Sequence, residues 1–335
     1  MIMDRFNKEK SIQLKGVAIL FMFWLHLYGH DSLIQNGNYY TELWGGVTKL
    51  LLTLFHICVP IFIFIAGYGA AIKQTNPKPL MKKIGLLYKK NWIVAIVFFP
   101  LAFCLGKLEF HIGELLLNLS GFYYTYCGEW WFVGLYILLE IYIDILEKRK
   151  ITQSTTALVF LSGALMIVGY ALQIIIPSVT KLNTIQWIPY TFLIKQPIFV
   201  SGYICSKKKV FNKPLAKKIG IAGMIAWVFL FINIPESFYM PFVVPCIVTA
   251  FCCIPINETI KKGLLILGKN STYMWLTHSW LIYKFMQSVI YGFHDVVANL
   301  VVLLIIDLAI AYAFLRVEKS IDKYCNKVKV KDSHL

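Results

Sequence analysis

Apolar runs long enough to cross a bilayer as helices, about twenty residues each, recur along the whole chain, and nothing constrains its fold more. They lie at 12–29, 46–72, 91–107, 129–146, 155–176, 187–205, 219–234, 239–256, 271–291 and 296–316. Inside hydrocarbon the backbone N–H and C=O groups must find partners within their own segment, so such runs become helices. The expected fold is all-α: a polytopic integral membrane helical bundle of about ten transmembrane helices. Of the 335 residues 58% are hydrophobic and only 15% charged, and no polar stretch is long enough to build a separate water-soluble core. Residues 1–335 therefore read as a single transmembrane domain. The second run exceeds a span and contains Pro60 and Gly67, so a kink or a start outside the hydrocarbon is expected there.

Charge sets the orientation. The formal net charge of +16 sits in short clusters between apolar runs, the pattern of cytoplasmic loops rather than of a nucleic-acid surface. With the N-terminus inside, every Lys and Arg except Lys49, Lys107, Lys181, Lys195 and Lys284 falls on the cytoplasmic side. Both termini are then cytoplasmic, residues 1–11 at the start and a basic tail, 317–335, at the end. Its last residues, CNKVKVKDSHL, read as flexible. The opening MIMDRFNKEK carries both signs of charge and no small-residue cleavage site, so the first run is expected to stay as a helix in a multi-pass protein of the plasma or inner membrane. The eight cysteines show no zinc-type spacing; they read as small buried apolar residues, and no metal is expected.

Within the first run, KGVAILFMFWLH places Lys15 and His26 eleven residues apart. At ~1.5 Å and ~100° per residue, both side chains return to nearly one helix face about 16 Å apart in depth. An imidazole exchanges protons near neutral pH and an ammonium holds an anion, a pairing suited to an anionic donor. A snorkelling lysine and a hydrogen-bonded core histidine account for the same spacing. His26, His56 and His278 fall within apolar runs, where ionisable groups mark functional positions by default, and all three are candidates to line one cavity. His30 and Asp31 extend the His26 face outward. Glu129 begins the fourth run. Glu140 and Asp144, four apart, share a face and read best as partners of Lys148. Asp307 is expected to face the bundle interior.

Two connecting segments carry further signals. The outer segment 108–128 reads as an interfacial or re-entrant helix followed by tyrosines. Tyr123, Tyr124, Tyr126, Trp130 and Trp131 suit an interface belt better than sugar-stacking platforms. The inner stretch KQTNPKPLMKKIGLLYKKNW would attract phosphates, although positive-inside topology with anionic lipid also accounts for it.

KGVAILFMFWLH resembles the opening helix of the membrane-bound acyltransferase family 3, in which a histidine follows a basic residue by eleven positions. VPIFIFIAGYGA (59–70) is similar to that family's P-x-F-F-F-x-S-G-[FY] segment, and STYMWLTHSWLI (271–282) to its late Y-x-x-L-x-H helix. The resemblance covers nearly the whole chain. It implies transfer of an acyl group, usually acetyl from acetyl-CoA, to a carbohydrate of a surface polysaccharide or lipid-linked glycan. His26 would be the catalytic histidine, supported by Lys15, Glu129 and His278, and Lys15, Lys82, Lys83, Lys89 and Lys90 would bind the CoA phosphates. Lysines stand where arginines are usual and lack the planar fork of that side chain. Ala66 replaces a serine, and Tyr136 lies near the place of a family carboxylate. The partners implied are acyl-CoA, a carbohydrate acceptor and membrane lipid, without nucleic acid; association into a homo-oligomer stays open. A secondary transporter or flippase for a glycan, lipid or small solute is the alternative, because transporters also hold ionisable residues at mid-membrane.

Overall fold

The computed structural model describes residues 5–29, 42–72, 80–181, 184–230 and 236–332. His30 and Asp31 lie outside them. The described chain is helical, without strands. In order the helices are α1 (Lys8–Tyr28), α2 (Glu42–Phe55), α3 (Cys58–Ile72), α4 (Leu80–Cys104), α5 (Ile112–Leu119), α6 (Trp131–Lys148), α7 (Thr155–Ile175), α8 (Trp187–Lys207), α9 (Ala216–Leu230), α10 (Glu236–Cys253), α11 (Glu258–Trp280), α12 (Gln287–Tyr291) and α13 (Val296–Asp332). A π-helical turn, Leu281–Phe285, follows α11 directly.

Among the described residues five segments are long and apolar enough to cross a membrane: Lys8–Tyr28, Gly45–Ile72, Leu80–Cys104, Thr155–Ile175 and Val296–Cys325; Phe238–Cys253 is apolar but shorter. The expectation of ten spans is met only to that extent. Helices do occupy the other apolar runs, but their composition differs. Acidic residues sit within α6, α11 begins at Glu258 and carries Lys261, Lys262 and Lys269, and α9 is only 15 residues long. The long second run is broken into α2 and α3 at His56 and Ile57, four and three residues before Pro60. α13 runs on as helix to Asp332, and the last three residues of the basic tail lie outside the described ones.

The outer surface of the bundle is as apolar as a lipid contact requires: Phe160, Ile174 and Phe242 are 79%, 81% and 76% exposed. Water would not tolerate so continuous an apolar exterior. Glycines decide how the inner helices cross. A Cβ on Gly16 of α1 would strike the Leu264 carbonyl of α11, and one on Gly268 of α11 would strike that of Ile12. Gly67 of α3 and Gly202 of α8 meet the carbonyls of Phe199 and Phe64 in the same reciprocal way. Small residues let helix backbones approach closely where lipid supplies no hydrophobic force to join them. The two pairs, α1 with α11 and α3 with α8, form the walls between which the site opens.

The first helix is held at both ends. Asn7 caps it, its side chain accepting from Lys10 N at 2.9 Å, as expected of a helix N-cap. At the other end the Tyr291 hydroxyl donates to Leu27 O at 2.7 Å, and the Tyr28 hydroxyl donates to Val296 O at 2.7 Å. The His26 turn is thereby fixed against α12 and α13.

Candidate active site

A cavity of about 860 Å³ opens among α1, α3, α4, α6, α8 and α11. Lys15 and His26 both line it, as their shared helix face predicts. So do His56, at the break between α2 and α3, and Glu129, in the short 3-10 turn Gly128–Trp130 that leads into α6. His278 does not; it is fully buried behind His26, with ring centres 4.9 Å apart.

At one end of the cavity the His26 Nδ1 atom stands 3.0 Å from the Tyr283 hydroxyl and 3.6 Å from Glu129 Oε1. The Tyr283 hydroxyl also donates to the His26 carbonyl, at 3.3 Å. His26 and Glu129 keep 23% and 14% of their side-chain surface exposed, so both are half-enclosed yet reachable from the cavity. His278 Nδ1 lies 2.8 Å from Trp275 O and 3.2 Å from Met274 O. Carbonyls only accept, so that nitrogen carries the proton. Its other nitrogen has no hydrogen-bond partner among the described residues, and Phe23 stacks on the ring. Behind Glu129, the Cys127 thiol packs 3.1 Å from Ser279 Oγ.

Four lysines reach the cavity wall: Lys15 from α1, Lys83 and Lys90 from α4, and Lys195 from α8. Lys83 donates to Glu140 Oε2 at 2.9 Å, and the other oxygen of that carboxylate accepts from the Tyr136 hydroxyl at 2.7 Å. Glu140 is therefore the partner of Lys83, across helices, rather than of Lys148. Asp144 takes Lys148, at 2.7 Å. Lys90 pairs with Glu318 at 2.6 Å, and Tyr273 donates to the same oxygen at 3.0 Å. Lys89 turns away from the cavity to Glu318 and Asp322, and Lys82 is exposed outside it. Of the lysines assigned to phosphates, Lys15, Lys83 and Lys90 come together and the other two do not.

The aromatic cluster has a third role that neither expectation covered. Tyr124, Tyr126 and Trp130 are buried in the core, with Trp130 Nε1 donating to Leu276 O at 3.0 Å. Only Trp131 of that cluster lines the cavity, where it meets Trp187 edge-on at 4.9 Å. The segment before it folds as the short helix α5, with Ile112 and Leu116 exposed. Its Asn118 ties the returning chain, bonding Thr125 Oγ1 at 3.0 Å and Tyr126 N at 3.0 Å. Asp307 does face the interior, where Thr277 is its partner. The cysteines are less uniform than expected, since Cys104 and Cys325 are exposed.

Tyr283, beside His26, and Lys195, on the cavity wall, were not singled out by sequence reasoning. Lys195 was legible as a lysine within an apolar run, an expensive place for a charge. Tyr283 had no signal of its own, because a π turn is invisible in hydrophobic periodicity. Among the described residues no group of three His, Cys, Asp or Glu side chains is placed to hold a metal ion.

No curated protein and no solved structure gave a significant match to the chain. A family model described as an acyltransferase domain, that of acyltransferase family 3, matches residues 10–316, from the first turn of α1 into α13. That match spans the Lys15–His26 helix, the Glu129 turn and every wall of the cavity, and the chain belongs to the acyltransferase family 3.

Proposed function

We propose that this membrane acyltransferase is an O-acyltransferase that moves an acyl group, acetyl in the first instance, from acyl-CoA to a hydroxyl of a cell-surface or lipid-linked polysaccharide. One observation carries the reading: a single cavity holds a cationic region, Lys15, Lys83 and Lys90, and, farther along the same helix face, a histidine beside a carboxylate. The ~16 Å that eleven helical residues span suits a donor whose phosphates and reacting thioester lie far apart. CoA is made in the cytoplasm, so its phosphates dock from the lysine side and its thioester reaches toward His26.

In the reaction the acceptor oxygen attacks the thioester carbonyl while His26 removes its proton. The new C–O bond forms, the C–S bond breaks, and the CoA thiolate recovers the proton from the imidazolium. General-base help of this kind contributes ~10² to 10⁴-fold. Glu129 stabilises the imidazolium that forms, and Lys15 orients the donor. A transient acyl-His26 would use the same imidazole, and trapping with hydroxylamine separates the two routes. The reading carries with it residues 1–335 as one domain of ten spans in the plasma or inner membrane, both termini cytoplasmic.

The test uses the purified protein in vesicles with labelled acetyl-CoA and a lipid-linked glycan acceptor. The expected result is ester formation that falls at least ~10²-fold in His26→Ala. Wild-type transfer by that variant removes His26 from the chemistry. Failure to bind any acyl-CoA, with movement of glycan or solute across the vesicle, replaces the reading with a transporter.

A further inference from the structure

We infer that Tyr283 is a positioning residue that fixes which nitrogen of His26 is basic; the inference rests on the acyl-transfer reading above. The argument begins in the backbone. After α11 the hydrogen-bond ladder widens over Leu281–Phe285 into a π turn, closed by Met286 N to Leu281 O at 2.9 Å. Such turns insert a residue into a helix and rotate the side chains that follow, and they gather at functional sites. Here the turn sends the Tyr283 ring across to α1, against the His26 imidazole at 77° to it.

Proton counting then assigns the tautomer. The phenol has one proton, and the His26 carbonyl, 3.3 Å away, accepts it. The phenol oxygen keeps lone pairs for a second bond and stands 3.0 Å from His26 Nδ1. Glu129 Oε1, 3.6 Å from that same nitrogen, is acceptor-only when ionised. Two acceptors facing one ring nitrogen favour the proton there, so Nδ1 carries it and Nε2 is left as the base. Without the phenol, the ring loses the shorter of its contacts to Tyr283 and Glu129 at Nδ1, and the preference for the proton on that nitrogen weakens.

Tyr283→Phe removes one oxygen and keeps the ring, so the π turn and its packing stay. Expected is a fall in kcat of roughly 10²-fold, the size of a misoriented catalytic group, with KM for acetyl-CoA unchanged because the phosphates bind at the lysines. A defect of packing alone would move both. The second readout does not depend on turnover: ¹⁵N spectra of histidine-labelled protein at mildly alkaline pH, with the His26 signal identified by its loss in His26→Asn. Wild type is expected to show protonated Nδ1 at His26, and Tyr283→Phe a mixture of both tautomers. A wild-type spectrum with the proton on Nε2, or unchanged tautomer and kcat in the Phe variant, overturns the inference. Because the spectrum is read without substrate, it stands or falls separately from the identity of the reaction.

Discussion

Replacing Glu140 by Gln should push stability and donor affinity in opposite directions. Its side chain is 3% exposed, and that of Lys83, 2.9 Å away, 16%. Glutamine keeps the shape: its carbonyl can accept from Lys83 and its NH₂ can face the Tyr136 oxygen, which now accepts. The bonds survive and the charge does not. Stranding one member of a buried ion pair costs about 3–5 kcal/mol; here the cavity solvates Lys83 in part, and about 2–3 kcal/mol is the expected loss. For a polyanionic donor the same change helps. A unit charge removed ~8 Å from a phosphate is worth about 2 kcal/mol at an effective dielectric of ~20. Part of this is screened, leaving roughly tenfold tighter binding. Unfolding of the detergent-solubilised protein and calorimetric titration with acetyl-CoA read the two quantities on one preparation. Weaker or unchanged binding by a folded Glu140→Gln protein would refute the assignment of Lys83 to the donor phosphates. The Lys83→Gln, Glu140→Gln double variant should regain part of the lost stability, since no charge is stranded, but not the affinity.

Lys15→Gln should weaken acetyl-CoA binding about tenfold, the worth of one charge near the phosphates, and leave the unfolding midpoint nearly unmoved; the same titration checks it. Glu129→Gln should lower kcat by ~10² with little change in KM, seen in initial rates of labelled ester formation. Gly67→Val should destabilise by at least ~3 kcal/mol, since its side chain must enter the Phe199 backbone, and the variant should accumulate poorly in membranes. At the N-terminal ends of α1 and α11, Lys261 donates to Glu9 at 3.0 Å and pairs with Glu258 at 3.4 Å; first the Glu9 bond and then the charge of Glu258 hold its ammonium above the usual 10.5. A raised lysine contributes its full share below the ordinary value and loses it as pH climbs through the raised one. Glu9→Gln should therefore shrink, with Glu258 still in place, a small loss of stability in the alkaline range above about 10.5, measured by unfolding against pH.

The helical, membrane-crossing character of this chain was legible because it rests on quantities that add along the sequence, apolar length and loop charge. The pairing of Lys15 with His26 was legible for a similar reason. Both lie on one helix, and the helical repeat alone returns them to one face, where the cavity finds them. Asp144 with Lys148 follows the same rule at four residues' spacing. Glu140 obeyed that local geometry too, yet its partner proved to be Lys83, 57 residues earlier. Which helix lies beside which is settled by packing, and here by glycines whose missing Cβ lets particular carbonyls approach. Periodicity holds no record of that choice.

The His26 end of the cavity shows the division most clearly. The sequence by itself marked His26 by its depth and its distance from a lysine, and marked Glu129 as a carboxylate at the start of the fourth run, to which only the family resemblance gave a supporting role. Tertiary structure brought Glu129 to the imidazole through a 3-10 turn, set His278 behind it instead of on the cavity wall, and carried Tyr283 there from 257 residues away. The reason is physical. A repeat of 3.6 residues per turn predicts faces only while the helix stays regular, and these three contacts depend on the irregular turns and helix crossings where that repeat no longer holds.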